Sequence, residues 1–271
     1  LGQAANVTAM SRDKWASTSS QVLGQSSYVN VAATATIDAS TRVATINVEA
    51  YYTGTSPVPT NKLNVALLQN NTLGPQTGGN MGNNYNHQHR LVHMVTGQWG
   101  EDITTTTTGT LVTRSYSYTI PASYNNVPAE MGNFEIIVFV AEGNQKIING
   151  NEASISYTGL ATNDAKIVEV NPIIAQCANT IEPKIVIQNL SQTAMTSLPI
   201  TYSINGGANQ VYNWSGSLAS FAKTTVTIPT ITYALQPTNT LNFSIPNDDL
   251  LTNNTGTKSY NKAVEGTSIV N

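Results

Sequence analysis

From Tyr28 onward, apolar and polar positions in this chain alternate with a period of two. Ala44, Ile46, Val48, Ala50 and Tyr52 fall on one parity, and Thr45, Asn47 and Glu49 on the other. Successive strand side chains point to opposite faces, so this pattern predicts a strand with one buried and one wet face. Further strands are predicted at Leu63–Leu68, His87–Val95, Leu111–Ile120, Phe134–Ala141 and Ala153–Tyr157. Asn149-Gly150 lies between Lys146-Ile147-Ile148 and the alternating Ala153, Ile155 and Tyr157, and predicts a tight hairpin because both residues tolerate positive φ. Gly74–Asn84 and the Thr104–Thr108 run read as loops. The one helical candidate is Ser11 to Leu23, with Ser11 as cap, Asp13 in the first turn, and Trp15, Val22 and Leu23 on a shared face.

A polar, unpatterned stretch near Gly159–Lys166, containing Thr162, Asn163 and Asp164, predicts a domain boundary. Seven short strands follow: Ile167–Ile174, Lys184–Gln188, Pro199–Ile204, Gln210–Trp214, Lys223–Pro229, Thr240–Ile245 and Thr257–Ala263. Asn205-Gly206-Gly207 separates two of them as a hairpin loop. Seven strands with no helix between them imply antiparallel pairing. The expected fold class is therefore all-β, as two consecutive antiparallel β-sandwich domains. They occupy residues 28–160 and 167–264, after an N-terminal segment 1–27 and before a tail 265–271.

Composition narrows the function. Charged residues make up 10% of the chain, against roughly 25% in a typical soluble domain. Thr, Asn, Ser, Ala and Gly fill the gap, which suits strands with hydroxyl-rich outer faces and Asn/Gly turns. A net charge of −3, with 12 scattered Lys and Arg, gives no footprint for nucleic acid or an anionic membrane surface. No stretch approaches the ~18 apolar residues of a membrane helix, so no membrane span is expected. The chain begins at Leu1 without a signal-like segment and reads as a processed or truncated product. The single cysteine, Cys177, excludes an internal disulfide framework and is expected to be a small buried hydrophobe.

Catalytic signatures are absent: there is no Gly-x-Ser-x-Gly, His-Glu-x-x-His, Cys-x-x-Cys or phosphate-binding glycine loop. The three histidines fall in Tyr85-Asn86-His87-Gln88-His89-Arg90-Leu91-Val92-His93. On a continuous strand His87 and His89 share a face about 6.6 Å apart, a separation that lets two imidazoles converge on zinc. His93 shares the face but lies roughly 13 Å from His89. The other reading is a row of half-exposed histidines bonded to backbone or water. Asp248 and Asp249, in Asn247–Asn254, offer carboxylates for a structural calcium, or else simply form a turn. Trp99, Trp214, Tyr85 and the Tyr116/Tyr118 pair are candidates for a sugar- or peptide-binding surface, or for cross-strand packing.

Several spaced elements agree in order with a known family. Leu63-Asn64-Val65-Ala66-Leu67-Leu68, Thr72-Leu73-Gly74-Pro75-Gln76, Tyr85-Asn86-His87-Gln88-His89 and Thr96-Gly97-Gln98-Trp99-Gly100 resemble the outer-membrane-protein-28-related family of Bacteroidetes. Its members carry Tyr-x-His-x-His followed closely by Leu-Arg and a Gly-x-x-Gly turn. The resemblance covers residues 28–158. The family's arginine falls at Val92 here, whereas this chain carries Arg90, two residues earlier on the same predicted face. Thr201–Gly207, Trp214-Ser215-Gly216-Ser217-Leu218 and Asn253-Asn254 resemble the immunoglobulin-like modules of type IX-secreted proteins. The second sandwich is accordingly expected to be immunoglobulin-like. Members often add an upstream thioredoxin-like domain and a downstream sorting domain; neither is present in this sequence.

The resemblance implies an adhesin- or receptor-like protein, extracellular or on the outer-membrane surface of a Gram-negative bacterium. The expected function is that of a non-enzymatic interaction or structural protein. Its expected partners are surface proteins or further copies of itself, with Tyr85, Arg90 and Trp99 as binding candidates and no cofactor. Two alternatives stand beside it: a glycan-binding surface protein, and a metal-dependent hydrolase using His87 and His89.

Overall fold

The computed structural model describes residues 11–263; the expected tail 265–271 and the first ten residues of the N-terminal segment lie outside them. The chain divides into two compact units, Leu1–Gly159 and Leu160–Asn271.

The first unit opens with a 3-10 turn at Arg12–Lys14 and a helix, α1 (Trp15–Leu23). Ser11 makes no side-chain capping bond, and no residue of α1 is buried. Thirteen strands follow: β1 (Val29–Asp38), β2 (Val43–Tyr52), β3 (Asn61–Gln69), β4 (Thr72–Gly74), β5 (Tyr85–His87), β6 (Arg90–Met94), β7 (Glu101–Ile103), β8 (Leu111–Thr119), β9 (Ser123–Tyr124), β10 (Val127–Pro128), β11 (Phe134–Glu142), β12 (Lys146–Glu152) and β13 (Ser154–Thr158). One sheet runs β13-β1-β2-β8 and the other β12-β11-β3-β6, with β7 also on β3. Period-two patterning becomes burial: Ala44, Ile46, Val48, Ala50 and Tyr52 of β2 are all buried, as are Ile136, Val138 and Val140 of β11. Each of these Ile and Val side chains contributes about 1.5–3 kcal/mol by leaving water.

Asn149-Gly150 is not a hairpin turn. Both residues lie inside β12, which pairs antiparallel with β11. The turn is at Gly143, whose φ of 57° supplies the left-handed step. Gly150 meets a different need, close packing: a Cβ there would stand 3.0 Å from both Phe139 Cβ and the Val138 carbonyl oxygen. Asn149 and Asn151 instead donate their side-chain amides to the carbonyls of Val29 (2.8 Å) and Val31 (3.4 Å). They thereby fasten β12 to the first half of β1, while the second half of β1 pairs parallel with β13. One side of the sandwich is closed in this way.

At the core's end, Tyr52 donates to Asn61 Oδ1 at 2.9 Å, and Asn61 Nδ2 donates to Ser56 Oγ at 3.1 Å. Burial, with a contribution from neighbouring Tyr28, pushes the Tyr52 phenol up to about 12.

The second unit contains β14 (Ala165–Val170), β15 (Thr180–Ile181), β16 (Lys184–Asn189), β17 (Met195–Ile204), β18 (Gln210–Leu218), β19 (Lys223–Thr227), β20 (Ile231–Thr232), β21 (Thr238–Ser244) and β22 (Thr255–Asn261). Antiparallel sheets β14-β16-β19 and β18-β17-β21-β22 enclose a core that includes Ile185, Ile187, Ile200, Leu241 and Phe243. All seven expected strands are present, with shifted ends. Asn205 (φ 52°) and Gly206 (φ 70°) form the turn between β17 and β18. Trp214 packs against the edge of this core, and Gly216 leaves room for it: a Cβ at 216 would meet the indole at 2.7 Å. Cys177 is exposed rather than buried. It lies in the irregular segment between β14 and β15, outside the sheets whose inner faces form the core.

Candidate interaction surface

The first unit's other side is built from β8 in one sheet and β6 and β7 in the other. Period-two alternation along β8 sends Val112, Arg114, Tyr116 and Tyr118 inward and leaves Leu111, Thr113, Ser115, Ser117 and Thr119 exposed. The inward set meets side chains from the facing sheet. Glu101 on β7 accepts from Arg114 Nε at 2.6 Å and from the Tyr116 hydroxyl at 3.0 Å. His93 on β6 stacks on Tyr118, with ring centroids 4.2 Å apart and 12° between planes. The Tyr118 and Tyr124 hydroxyls share a 3.0 Å hydrogen bond, and Arg90 Nη2 donates to the Tyr124 carbonyl at 3.1 Å. Burial, followed by the hydrogen bond to Glu101, pushes the Tyr116 phenol well above its ordinary range; burial and Tyr118 do the same to Tyr124. Both therefore stay neutral at physiological pH, and Tyr116 donates to Glu101.

His93 faces inward because of a bulge. The pairing of β6 with β3 runs Arg90↔Gln69, Leu91↔Leu68 and then His93↔Leu67, with Val92 as the extra residue. A bulge re-aims every side chain beyond it. Simple parity would have put His93 with His87 and His89, and that does not hold.

A second irregularity separates the other two histidines. The expected strand over His87–Val95 is broken at 88–89, where His89 adopts φ 53°. His87 instead pairs with Thr72 and packs edge-on against Tyr85 at 5.0 Å. His89 donates its backbone N–H to Asn70 Oδ1 (2.7 Å) and contacts Glu135 Oε2 through Nδ1 (2.7 Å), while Asn70 Nδ2 donates to Glu135 Oε1 at 2.6 Å. Burial acts to raise the Glu135 carboxyl, but the bonds from Asn70 and His89 outweigh it and hold that group below the usual carboxylate range. The three imidazoles thus serve three separate contacts. Tyr85 is partly buried against Gly79 and His87, and Trp99 is half-exposed in the turn before β7.

Asp248 and Asp249 are engaged by the chain itself. Asp248 accepts from the Ala165 amide (2.8 Å) and from Asn254 Nδ2 (3.0 Å); Asp249 Oδ2 accepts from the amides of Thr162 (2.9 Å) and Asn163 (3.0 Å). Buried Asp164 stands beside them. Desolvation raises its pKa first, opposed by a hydrogen bond from Asn253 and reinforced by the charges of Asp248 and Asp249. Among the described residues, no group of three or more His, Cys, Asp or Glu is arranged to hold a metal ion, and no helix is long and apolar enough to cross a membrane.

Tyr116 and Tyr118, candidates for a binding surface or for packing between strands, take the second role, facing inward onto Glu101 and His93. Glu101, Arg114 and Tyr124 were not singled out for this role. The parity of Leu111–Thr119 already placed Arg114 beside the two tyrosines, but the partner strand that brings Glu101 to them is non-local.

Fold and surface together define a protein of tandem antiparallel β-sandwich units with a polar, aromatic seam along one sheet edge. The family model for outer membrane protein Omp28 matches residues 2–159, and the chain belongs to that family. Its location is the outer-membrane surface. Among solved structures, a domain of the outer membrane lipoprotein Omp28 from Porphyromonas gingivalis aligns at 18% identity, over 49% of this chain and 93% of that one, with a TM-score of 0.35. HBP35 of Porphyromonas gingivalis aligns at 16% identity over 88% of this chain, with a TM-score of 0.42; this chain spans 65% of its length. No curated protein matches the sequence.

Proposed function

We propose that this protein is a non-enzymatic interaction module displayed on the outer-membrane surface, and that it engages protein partners by strand addition to β8. The observation that carries this reading is the free edge of β8. Tyr52 N–H donates to the Thr110 carbonyl at one end of the β2–β8 ladder, and Ile120 N–H to the Arg42 carbonyl at the other. Antiparallel bonding alternates, so the even-numbered residues of β8 bond to β2. The N–H and C=O groups of Leu111, Thr113, Ser115, Ser117 and Thr119 consequently point away from the sheet. Among the described residues, the one hydrogen bond to these groups is from Arg114 Nη1 to the Thr113 carbonyl at 2.9 Å. Such a row is a template for another strand unless it is blocked by charge, proline or cover. The side chains on its exposed parity are Leu, Thr and Ser, which block nothing. The seam behind it holds β8 in place, so little ordering is needed when a partner binds.

Ser115→Pro removes one outward N–H without touching the bonds to β2. Outer membranes that still carry this protein are expected to retain added wild-type chain and to lose the Ser115→Pro variant. Equal retention of both would contradict binding through β8. A glycan-binding reading rests on half-exposed Trp99; retention abolished by Trp99→Ala and by free sugars, and untouched by Ser115→Pro, would favour it instead.

A further inference from the structure

We infer that the strand added to β8 is β8 of a second copy of this chain, paired antiparallel about a two-fold axis through Ser115. The inference rests on the strand-addition reading above and names its partner.

The argument is one of self-complementarity. Ser115 is the midpoint of Leu111–Thr119. A two-fold axis there places Thr113 opposite Ser117 of the partner subunit, Leu111 opposite Thr119 of the partner subunit, and each Ser115 opposite its own mate. Every one of the five outward-pointing residues then meets another outward-pointing residue, so each of their free backbone groups gains a partner. Registers displaced by two residues leave terminal groups unpaired, and registers of odd displacement set bonded residues against non-bonded ones.

The side chains agree with that axis on both faces. On the exposed face the facing pairs are Thr with Ser, Ser with Ser, and Leu with Thr, so no like charges meet and hydroxyls lie within cross-strand reach of each other. On the inner face Arg114 comes opposite Tyr116 of the partner subunit, and the reverse pair repeats across the axis. A guanidinium beside a phenol ring is an attractive pair. Each Arg114 keeps its own Glu101 through Nε, so the two guanidiniums on the shared sheet are both neutralised. The Nη1 bond to the Thr113 carbonyl is the one contact that must be released, and it is replaced by a backbone N–H from the partner. An arbitrary strand would satisfy the backbone row alone; a second β8 also satisfies the inner face reciprocally. The result continues the sheet β13-β1-β2-β8 across the axis into an eight-stranded one.

Charge placed at the axis gives the test. Ser115→Lys and Ser115→Glu both lie on an exposed position facing solvent in the single chain, and each sets two like charges side by side only if the two-fold pairing forms. Light scattering and sedimentation of the 271-residue chain are expected to show a reversible dimer for the wild type. Each variant alone should associate at least roughly tenfold more weakly, and an equimolar mixture of the two should recover a dimer, since opposite charges then meet at the axis. Ring signals of Tyr118 and His93 unchanged by NMR establish that the variants keep their fold. A wild-type chain that stays monomeric to roughly millimolar concentration overturns the inference, because association weaker than that is not specific. So does a Ser115→Lys variant that dimerises as well as the wild type, or a mixture that stays monomeric. Monomeric wild type with membrane retention that is still abolished by Ser115→Pro defeats the two-copy inference and leaves strand addition standing. Retention indifferent to Ser115→Pro defeats both.

Discussion

His93 and Tyr118 lie face to face, 4.2 Å between ring centroids, and join β6 of one sheet to β8 of the other across the side of the sandwich that no hydrogen-bonded strand closes. The bulge at Val92 exists in the pairing that makes this contact possible. Replacing His93 with Ala should therefore loosen β8 specifically. A loss of about 1–2 kcal/mol in urea-unfolding free energy of the first unit is expected, with most of it recovered in His93→Phe, which keeps a stacking ring. Equal losses for both substitutions would place the contribution in the imidazole nitrogens and not in the stack.

The Asn70–His89–Glu135 cluster should make the first unit acid-sensitive. Glu135 has a pKa held below its ordinary value, so its contribution is complete above the usual carboxylate range and is lost as pH falls through the folded value. Urea midpoints measured from pH 6 to pH 3 should fall more steeply for the wild type than for Glu135→Gln. At neutral pH, Glu135→Ala should cost about 2 kcal/mol, because His89 and Asn70 lose a charged acceptor.

Asp164 should behave in the opposite sense. Its pKa is raised, so the folded state binds the proton more tightly than the unfolded chain, and stability falls as pH rises through the folded value. Asp164→Asn keeps an oxygen for Asn253 and removes the repulsion from Asp248 and Asp249. The melting temperature of the second unit is expected to rise at pH 7 and to match the wild type near pH 3. A fall at pH 7 would mean that the carboxylate makes a contact that an amide cannot replace.

Gly150→Val tests the close packing of β12 against β11. The added side chain must displace Phe139 or the backbone of Val138, at a cost of about 1–3 kcal/mol. Were Gly150 needed only for a turn, Gly150→Asn would be tolerated; in a strand it should destabilise too.

Much of this architecture could be read from alternation alone, and the particular failures are physical. Parity placed the inward residues of β2 correctly because nothing interrupts that ladder. It failed over His87–Met94, where a left-handed His89 and a bulge at Val92 each shift the phase by one residue, and neither histidine nor valine advertises such a step. Asn149-Gly150 carried a strong turn signal, yet the same two residues serve a side-chain clasp to β1 and a close approach to Phe139, needs set by strands more than a hundred residues away and by the neighbouring strand. The strand over Leu111–Ile120 was visible in outline, but its place at the sheet edge was not. Glu101 was not, because its role exists only once β7 is laid on β3 opposite β8.

Residue-resolved hydrogen exchange along β8 tests the central claim most directly. In dilute solution the amides of Val112, Arg114, Tyr116 and Tyr118, bonded to β2, should exchange slowly, and those of Thr113, Ser115 and Ser117 rapidly. On raising the concentration of the wild-type chain, the rapid set alone should become protected, and Ser115→Lys should abolish that protection. Rapid exchange of Thr113, Ser115 and Ser117 at every concentration and on outer membranes, or slow exchange already in the dilute chain, would contradict the use of β8 as a binding edge.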